Sequence, residues 1–418
     1  MFSDKISDYF EGVAAKYLSA VDANPERSNQ HEIGGLPSVG FRQYLGSPTK
    51  EDQLIYKARP VYITDSEEPP TSCEDDLTWY DVRGKSPTRS PEYRLYYKSN
   101  PVIELINEGD FFLIAKRTDG SLLLVFCPPD TSVEAQLRAV FGLGEIEEKF
   151  SAGKIASASL ILPLRLLLEE LGLITAEREV ETTNWLDTLL SQFGGKEFPV
   201  TSVFSTLARD SLTQDYDPIK DPDITLMAWM EHEEFLFRTY ERYIVQQRLR
   251  QGFGPQGDDV DEFISYSLSV QNRRKSRVGH AFEGHLAALF SANSLQFERP
   301  RGKGKVTENN AKPDFLFPSF TAYHDSTFPS DRLIVLGAKT TCKDRWRQVL
   351  AEADRVERKY LITLEPAISV AQTNEMTASH LQLIVPESIQ QTYLADQQSR
   401  IQTVKSFIHH AQHLVNSI

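Results

Sequence analysis

Cysteine is scarce in this sequence, which has only three among 418 residues, at Cys73, Cys127 and Cys342. They lie far apart and form no Cys-x-x-Cys or Cys/His pair, and this spacing argues against disulfides and structural zinc. The chain also lacks an uncharged apolar run of membrane-spanning length, and Met1–Lys5 leads into no apolar signal segment. We therefore expect a cytoplasmic protein without a membrane partner.

The sequence also has no overall excess of basic residues, and its net charge is −14. The distribution of charge matters more than its sum for binding nucleic acid. Residues 271–312 contain nine Lys and Arg against three acids, and residues 339–359 contain seven against four, whereas residues 209–262 contain six against thirteen. Basic charge is therefore concentrated in two segments of the C-terminal half. The alternative is that these segments are ordinary solvated faces.

The length of 418 residues suits two domains, each with its own core. Short runs rich in β-branched and aromatic residues, separated by turn signals such as Asp119-Gly120, predict strands in the first 150 residues. Their spacing favours a small barrel or sandwich. The predicted strands include Val61–Ile63, Leu77–Tyr80, Tyr93–Tyr97, Phe111–Ile114 and Leu122–Phe126.

Two polar loops in this region, at residues 28–32 and 80–90, have the composition of nucleic-acid contacts. Cationic and hydroxyl side chains can bind phosphates, one arginine can face a guanine edge, and amide groups suit base edges. The alternative is a pair of ordinary exposed loops. The side chains that we predict to contact DNA here are Gln30, His31, Arg83, Lys85 and Arg89.

Helical periodicity follows in the middle of the chain. Residues 154–172 carry an apolar stripe that is typical of a structural helix, and Ile224–Arg250 reads as a long helix ended by Gly252. A further stripe over Val278–Phe290 has Glu283 at its edge. The polar segment with two glycines before the long helix reads as a linker. The predicted division is residues 1–176, a linker over 177–198, and residues 199–418.

Most of the candidate catalytic residues lie between residues 312 and 352. Two short apolar runs, Phe315–Phe317 and Leu333–Ala338, predict buried strands, so that Asp314 and Lys339 lie at strand ends where their charges can meet. Past Lys339 the apolar spacing becomes helical, which predicts that Glu352 lies on a helix. The apolar positions of that helix are Trp346, Val349, Leu350, Ala353 and Val356.

Two acids and a lysine in this order are what metal-dependent phosphodiester hydrolysis requires. Carboxylates hold a hard divalent cation, which withdraws charge from the phosphate and lowers the pKa of a bound water. The lysine can hold the attacking water or offset the charge that builds on phosphorus. The Asp314–Lys339 spacing alone is a weak signal, because such pairs arise by chance.

Four blocks of the C-terminal half resemble, in the same order, the catalytic domain of EcoRII-like restriction endonucleases. That family has the PD-(D/E)XK fold, and the resemblance covers roughly residues 195–418. It implies a C-terminal α/β domain that acts on double-stranded DNA, with Mg²⁺ as cofactor. The blocks are Asn272–Arg277, Lys312–Ser319, Ala322–Asp325 and Lys339–Gln348.

The resemblance implies roles for individual side chains. Three acids would surround Mg²⁺, the lysine would act on the phosphate or the water, and a tyrosine would contact the scissile phosphate. Gly337 stands where the commoner motif has an acid, and Glu352 supplies that carboxylate in this subfamily. The alternatives are an exposed helix-flank glutamate for Glu283 and a loop tyrosine for Tyr323. The implied catalytic residues are Glu283, Asp314, Tyr323, Lys339 and Glu352, of which Glu283, Asp314 and Glu352 are the metal ligands.

The triplet Lys343-Asp344-Arg345 matches the recognition segment of the same family. Cations can donate to guanine O6 and N7, and a carboxylate can accept from cytosine N4, so the triplet suits neighbouring G·C pairs. Arg347 would touch a phosphate or pair with an acid. The resemblance implies a site built on CC and GG pairs, close to CCWGG, that is cut by a homodimer.

The order of elements in the first 176 residues resembles the N-terminal effector domain of this family, a mostly-β pseudobarrel. The likeness rests on the two polar loops, a hairpin over Asp110–Phe126 and a helix over Thr131–Phe141. It implies a DNA-binding domain that regulates cleavage. The expected architecture is therefore multidomain, with this pseudobarrel followed by the α/β PD-(D/E)XK domain.

We expect from these features a type II restriction endonuclease. One alternative is a modification-dependent or repair nuclease on the same fold, because base modification is sensed by pocket shape. The other is a sequence-specific DNA-binding protein that has lost cleavage. The intact set of acids and lysine argues against that second alternative, since an inactive nuclease is free to lose them.

Overall fold

The computed structural model describes residues 5–23, 32–49, 52–66, 68–84, 88–144, 151–153, 161–170, 183–212, 216–302, 304–342 and 345–416. The chain divides into two compact units with mixed α/β content. The N-terminal unit consists of Ser3–Ala176 and Pro366–Asn374, and the C-terminal unit of Glu177–Glu365 and Glu375–Ile418. None of the helices in the described ranges combines the length and the apolarity needed to span a bilayer. All three cysteines are free.

A nine-stranded sheet forms the centre of the N-terminal unit. Its strands are β1 (Phe10–Tyr17), β2 (Glu32–Ile33), β3 (Leu54–Tyr62), β4 (Thr71–Ser72), β5 (Asp75–Asp81), β6 (Tyr93–Tyr96), β7 (Phe111–Arg117), β8 (Leu122–Cys127) and β9 (Ser151–Gly153). They run in the order β2-β6-β5-β3-β8-β7-β1-β9, with β4 beside β3. The β3–β8 pair is parallel and the other pairs are antiparallel. The strand predictions in this region are confirmed, and the pseudobarrel stays a prediction.

The predicted hairpin is formed by β7 and β8, which are buried along almost their whole length. Successive side chains of a strand point to opposite faces. Phe111 and Leu113 therefore enter one apolar core, whereas Phe112 and Ile114 enter another. A strand that is apolar on both faces reads as a continuous hydrophobic run, and this is why the sequence predicted it clearly.

The helices of the N-terminal unit are α1 (Ala20–Ala23), α2 (Arg42–Leu45), α3 (Ser132–Phe141) and α4 (Leu162–Glu170). Helix α3 confirms the helix predicted here. Its N-cap Thr131 accepts from the Glu134 amide, and the Asp65 carboxylate accepts from the amides of Ser132 and Val133 at 2.8 and 3.1 Å. These contacts satisfy amides that have no partner within the helix.

The segment Pro366–Asn374 joins the N-terminal unit through the same helix end. The Ser369 amide donates to Ser132 Oγ at 3.0 Å, and Gln372 Nε2 donates to Asp65 Oδ2 at 3.0 Å. The chain therefore returns to the N-terminal unit more than two hundred residues after helix α3 ends.

A group of packed helices opens the C-terminal unit, formed by α5 (Thr183–Phe193), α6 (Thr201–Asp210), α7 (Pro222–Gln251) and α8 (Val260–Ala292). Residues 183–193 were assigned to a linker, yet they form α5, and Leu189 is fully buried in an apolar cluster with Phe204. Helix α7 confirms the long predicted helix. Gly252 ends it with φ +74°, where a side chain would collide with the Gly257 backbone.

Helix α8 begins at Val260, well before Val278, the first residue of the predicted apolar stripe. The Asp259 side chain caps it by accepting from the Glu262 amide at 2.9 Å. The basic block Asn272–Arg277 therefore lies within this helix.

A four-stranded sheet completes the C-terminal unit. Strand β10 (Phe315–Phe317) is antiparallel to β11 (Ile334–Lys339), and β12 (Lys359–Thr363) and β13 (Leu381–Ile384) follow in parallel. The two predicted strands are confirmed as β10 and β11. The remaining helices are α9 (Phe320–His324), α10 (Trp346–Leu350), α11 (Val370–Ala378), α12 (Glu387–Gln390), α13 (Ala395–Gln398) and α14 (Val404–Asn416).

Helix α10 explains why a glycine occupies position 337. A Cβ at Gly337 would lie 2.6 Å from Val349 Cγ2, so the strand and the helix approach too closely for any side chain. The predicted helix continues to Val356, but α10 ends at Leu350, and Ala353 adopts φ +61°. The prediction that Glu352 lies on a helix is therefore wrong, because it lies in the turn that follows.

Candidate functional site

Asp314 and Lys339 meet at the end of the C-terminal sheet. Asp314 directly precedes β10, and Lys339 is the last residue of β11, its antiparallel neighbour. Lys339 Nζ lies 2.7 Å from Asp314 Oδ2, and the Ala338 amide donates to the same oxygen at 2.8 Å. Both side chains are mostly buried, with 17% of Asp314 and 21% of Lys339 exposed. The two strand ends therefore hold this carboxylate in one orientation.

Glu352 lies beside this pair. Its Oε2 atom is buried and has no hydrogen-bond partner among the residues that the structure describes. Burial and then the charge of Asp314 raise the pKa of Glu352 to about 7, although the ammonium groups of Lys339 and Lys359 act in the opposite direction. Lys359 was not predicted: it begins β12, is buried, and donates to the Val356 carbonyl at 3.0 Å.

The donor set here fits a hard divalent cation. Two carboxylates repel each other, and a buried carboxylate oxygen lacks a partner, so a cation would relieve both penalties. Within the described ranges, no three His, Cys, Asp or Glu side chains group as a metal site. Mg²⁺ is commonly held by one or two carboxylates with water and substrate oxygens, and Asp314 and Glu352 match that requirement.

Glu283 is held elsewhere by an ion pair. It lies on α8, and its carboxylate accepts from the Arg299 guanidinium. Arg299 in turn lies 5.4 Å from the ring of Phe315, the residue that follows Asp314. The structure therefore links Glu283 to the neighbourhood of the site through Arg299, a residue without a predicted role.

Tyr323 is 2% exposed and takes part in a structural network. Its hydroxyl donates to Glu308 and accepts from the Arg355 amide at 3.3 Å, and the Arg355 guanidinium donates to the Tyr323 carbonyl. Burial and the hydrogen bond to Glu308 raise the pKa of Tyr323 far above its usual range. These contacts fix the chain just after Glu352, so the tyrosine holds the turn that carries this acid.

In the predicted recognition triplet, Lys343 and Asp344 lie outside the described residues. Arg345 is exposed, and its amide donates to the Cys342 carbonyl at 2.7 Å. The Cys342 amide donates to the buried carboxylate of Glu365, which follows β12. Cys342, the residue before the triplet, is therefore attached to the end of β12 by Glu365, an acid without a predicted role.

Arg347 pairs with an acid, which was one of the two alternatives for it. Its Nη2 donates to both oxygens of Glu375 at 3.0 and 2.8 Å, and its guanidinium lies 4.6 Å from the Trp346 ring. Both partners of this ion pair are exposed. A DNA contact by Arg347 would therefore require it to exchange partners.

Among the N-terminal DNA-contact predictions, Gln30, His31 and Lys85 lie outside the described residues. Arg83 forms an ion pair with Glu92, which also pairs with Arg94, and Arg94 lies 2.8 Å from Glu32. The charge of Arg83 is therefore balanced. Arg89 is exposed.

Comparison with known proteins covers the part of the chain that carries this site. Residues 237–408 match the family model described as EcoRII C terminal. The type II restriction enzyme EcoRII of Escherichia coli is 44% identical over 188 residues, which are 45% of this chain and 45% of that enzyme. The type II restriction enzyme SsoII of Shigella sonnei is 26% identical over 193 residues, which are 41% of this chain and 61% of that enzyme.

A solved complex of the restriction endonuclease PspGI with substrate DNA has 16% sequence identity and a TM-score of 0.44, covering 59% of this chain and 99% of that one. The matches span less than two thirds of either curated relative. Asp314, Lys339 and Glu352 all lie within the matched residues 237–408. The resemblance drawn from the four sequence blocks is confirmed, since residues 237–408 match the EcoRII C-terminal family model and the matched segment is 44% identical to EcoRII.

Proposed function

We propose that this chain is a type II site-specific deoxyribonuclease that hydrolyses double-stranded DNA with the help of Mg²⁺. The observation that carries the proposal is the unpartnered, buried Oε2 of Glu352 beside the Asp314–Lys339 pair. A protein does not normally keep an acid there without a partner. The similarity of this region to EcoRII supports the same reading.

The residues that would hold the cation are Asp314 and Glu352. When bound, Mg²⁺ withdraws charge from the phosphate and lowers the pKa of a water. Glu283 joins this pair only when its ion pair with Arg299 opens, so its role as a third ligand depends on a change of partner. That requirement separates Glu283 from the other two acids.

Lys339 has two tasks in this proposal. Its ammonium and the Ala338 amide both donate to one oxygen of Asp314, which leaves the other oxygen available to a ligand. On the substrate side, the same ammonium can hold the attacking water or stabilise the charge that develops on the phosphate oxygens. A lysine fixed by a strand end needs little reorganisation for either task.

Sequence recognition would come from Lys343, Asp344 and Arg345, on a site built on CC and GG pairs that resembles CCWGG. The exposure of Arg345 supports a contact with DNA, and the contact of Cys342 with Glu365 supports a fixed starting point for the triplet. A palindromic site of this kind is read by two equivalent triplets, so we propose a homodimer.

We infer that the N-terminal unit binds DNA and regulates cleavage. The support lies in the segment Pro366–Asn374, which directly follows Glu365 and β12 yet belongs to the N-terminal unit. Through Gln372 and Asp65, this segment is attached to the N-terminus of α3. A rearrangement of the N-terminal unit on binding DNA would therefore act on the chain next to the acid that anchors the recognition triplet.

Digestion of plasmid libraries tests this function directly. Methylated and unmethylated libraries are incubated with the full chain and Mg²⁺, and the new ends are mapped, with Asp314→Asn as the isosteric control. Cutting of unmethylated DNA at one short sequence is the expected result. Cutting that requires methylation favours the modification-dependent alternative. Specific binding without cutting by the wild-type chain would instead support the cleavage-dead alternative.

A further inference from the structure

A cavity of about 640 Å³ lies in the C-terminal unit between the start of α6, the middle of α8 and the segment that precedes β10. None of the described residues that line it is acidic. Five of them are arginines from three separate parts of the chain. They are Arg209, Arg273, Arg277, Arg299 and Arg301.

The positive charge of this cavity is only partly balanced by nearby acids. Arg277 lies 2.9 Å from Glu233, and Arg299 pairs with Glu283. In the described part of the chain, Arg273 has no carboxylate within ion-pair distance; it stacks on the Phe198 ring, with its guanidinium 4.2 Å from the ring centre. Because arginine stays charged at any physiological pH, the cavity attracts anions.

Several residues that line the cavity carry donors without a partner in the described ranges. Ser205 is 1% exposed and its Oγ makes no hydrogen bond there, and Arg273 Nη1 and Arg277 Nε are likewise buried without one. A buried donor left without a partner is unfavourable, and groups of them are uncommon in folded proteins. Three residues that line one cavity thus carry donors that a ligand with several acceptor oxygens would satisfy after small side-chain movements.

The start of α6 adds to this arrangement. Val200 precedes the helix and has no side chain that can cap it, and Val200, Thr201 and Ser202 all line the cavity. The first amides of a helix carry partial positive charge and commonly bind phosphate. Ser205 lies one turn further along the same helix, so its hydroxyl and the helix start face the same space.

The cavity also adjoins the candidate catalytic site. Arg299 lines the cavity, pairs with Glu283 and lies against Phe315, the residue next to Asp314. On the basis of the proposed function, an anion delivered to this place is part of the DNA backbone. We propose that the cavity is a phosphate-binding site that takes one backbone phosphate of the DNA substrate beside the scissile bond.

This assignment can be tested by removing the charge of single phosphates. A duplex is selected from a random pool by binding to the full chain in EDTA, so that its choice does not depend on cleavage. Methylphosphonate is then placed at each backbone position in turn, and binding is measured for the wild type, Ser205→Ala and Arg273→Gln. In the wild type, one position should weaken binding about ten-fold, as expected for a charge-assisted hydrogen bond.

Methylphosphonate at that position should not weaken the binding of the two variants any further, because their contact with the phosphate is already absent. Each variant should bind unmodified duplex about ten-fold more weakly, and Arg273→Gln should reduce the salt slope by about one. Without DNA, Ser205→Ala should unfold at the same temperature as the wild type or a higher one, because it removes an unpartnered buried hydroxyl. Arg250→Gln, at the end of α7 and outside the cavity, is the matched control for loss of one charge.

The outcomes separate this proposal from the proposed function. If the wild type cuts DNA but both variants show the same methylphosphonate binding profile as the wild type, the cavity assignment alone is overturned. If the variants lose sensitivity to methylphosphonate at one position but the wild type never cuts DNA, the phosphate-binding assignment is supported and the proposed nuclease activity is overturned. Failure to enrich any duplex overturns both. A reduced unfolding temperature of Ser205→Ala without DNA would assign that hydroxyl to folding and contradict its role as a ligand.

Discussion

Burial and then the charge of Asp314 raise the pKa of Glu352, and the Oε2 atom of Glu352 has no hydrogen-bond partner in the described part of the chain. Two acids are thus held together by a fold that would be more stable if one of them were neutral. The arrangement becomes favourable once a cation is present, which links stability, pH and metal binding in one measurable relationship.

The first prediction concerns the stability of the metal-free protein. The pKa of Glu352 rises from 4.5 to about 7 on folding, so the folded state binds a proton more tightly than the unfolded state between these values. The contribution of Glu352 is fully present below pH 4.5 and is lost as the pH rises through about 7, an effect on the order of 3 kcal/mol. Urea unfolding in EDTA at several pH values should show this trend in the wild type and not in Glu352→Gln.

The comparison with Glu352→Gln isolates this group from all others that titrate in the same range. At pH 8 the variant should be the more stable protein without metal, and Mg²⁺ should stabilise the wild type only. A difference between the two proteins that stays constant from pH 5 to pH 8 would show that Glu352 is already ionised in the folded protein throughout that range.

The second prediction concerns catalysis. Asp314→Asn and Lys339→Ala should each reduce cleavage by at least about 100-fold, because each removes a group placed to act on the reacting phosphate. Specific binding in EDTA should stay close to that of the wild type. Glu352→Ala tests the acid in the turn separately, and substantial cleavage by that variant would mean that another carboxylate completes the site.

The third prediction separates a structural from a catalytic role for Tyr323. Its hydroxyl bonds to Glu308 and to the Arg355 amide, so Tyr323→Phe should reduce the free energy of unfolding by about 1 kcal/mol. Cleavage at saturating DNA should change little. A large fall in the cleavage rate with unchanged stability would place the hydroxyl on the scissile phosphate instead.

The fourth prediction concerns sequence reading. Arg345→Ala should weaken binding to the cognate site by about 1–3 kcal/mol, as for one bidentate arginine–guanine contact, and should affect non-specific DNA much less. Arg347→Ala is the matched control, because that side chain is held by Glu375. Equal losses of Arg345→Ala on both kinds of DNA would identify a phosphate contact.

The fifth prediction concerns regulation by the N-terminal unit. A fragment of residues 177–418, which retains α5, should cut a substrate with one site faster than the full chain. Short cognate duplex added in trans should stimulate the full chain and leave the fragment unchanged. If the fragment folds and binds DNA but cuts no faster, the N-terminal unit does not inhibit cleavage.

The sequence predicted the strands of the site well because their signals are local. The apolar runs before and after the loop give β10 and β11, and their ends bring Asp314 to Lys339. The first part of α8 was not predicted, although Val260, Phe263, Ile264 and Leu268 have helical spacing. These apolar side chains are exposed, and none of the side chains of residues 260–276 is buried. The turn at Ala353 was missed because alanine rarely adopts positive φ.

The partners of the acids could not be predicted from sequence. Glu283 forms an ion pair with Arg299, the Glu365 carboxylate accepts a hydrogen bond from the Cys342 amide, and the charge of Lys359 lowers the pKa of Glu352. Each of these interactions depends on how separate elements pack. Sequence spacing does not report such distances, because any charged residue in a helix or loop is compatible with solvent. The order of acids and lysine and the family resemblance both pointed to Glu352, whereas nothing pointed to Arg299.

The return of residues 366–374 to the N-terminal unit has a consequence for how such a protein is inherited. The buried side chain of Ile368 and the bond between Ser369 and Ser132 tie a short piece of the C-terminal sequence to the other unit. A recombination event between residues 177 and 198 would replace the N-terminal unit but keep the original residues 366–374. These residues would then pack against an N-terminal unit from another protein. The N-terminal unit therefore cannot be exchanged by a single crossover at that junction, and the two parts must change together.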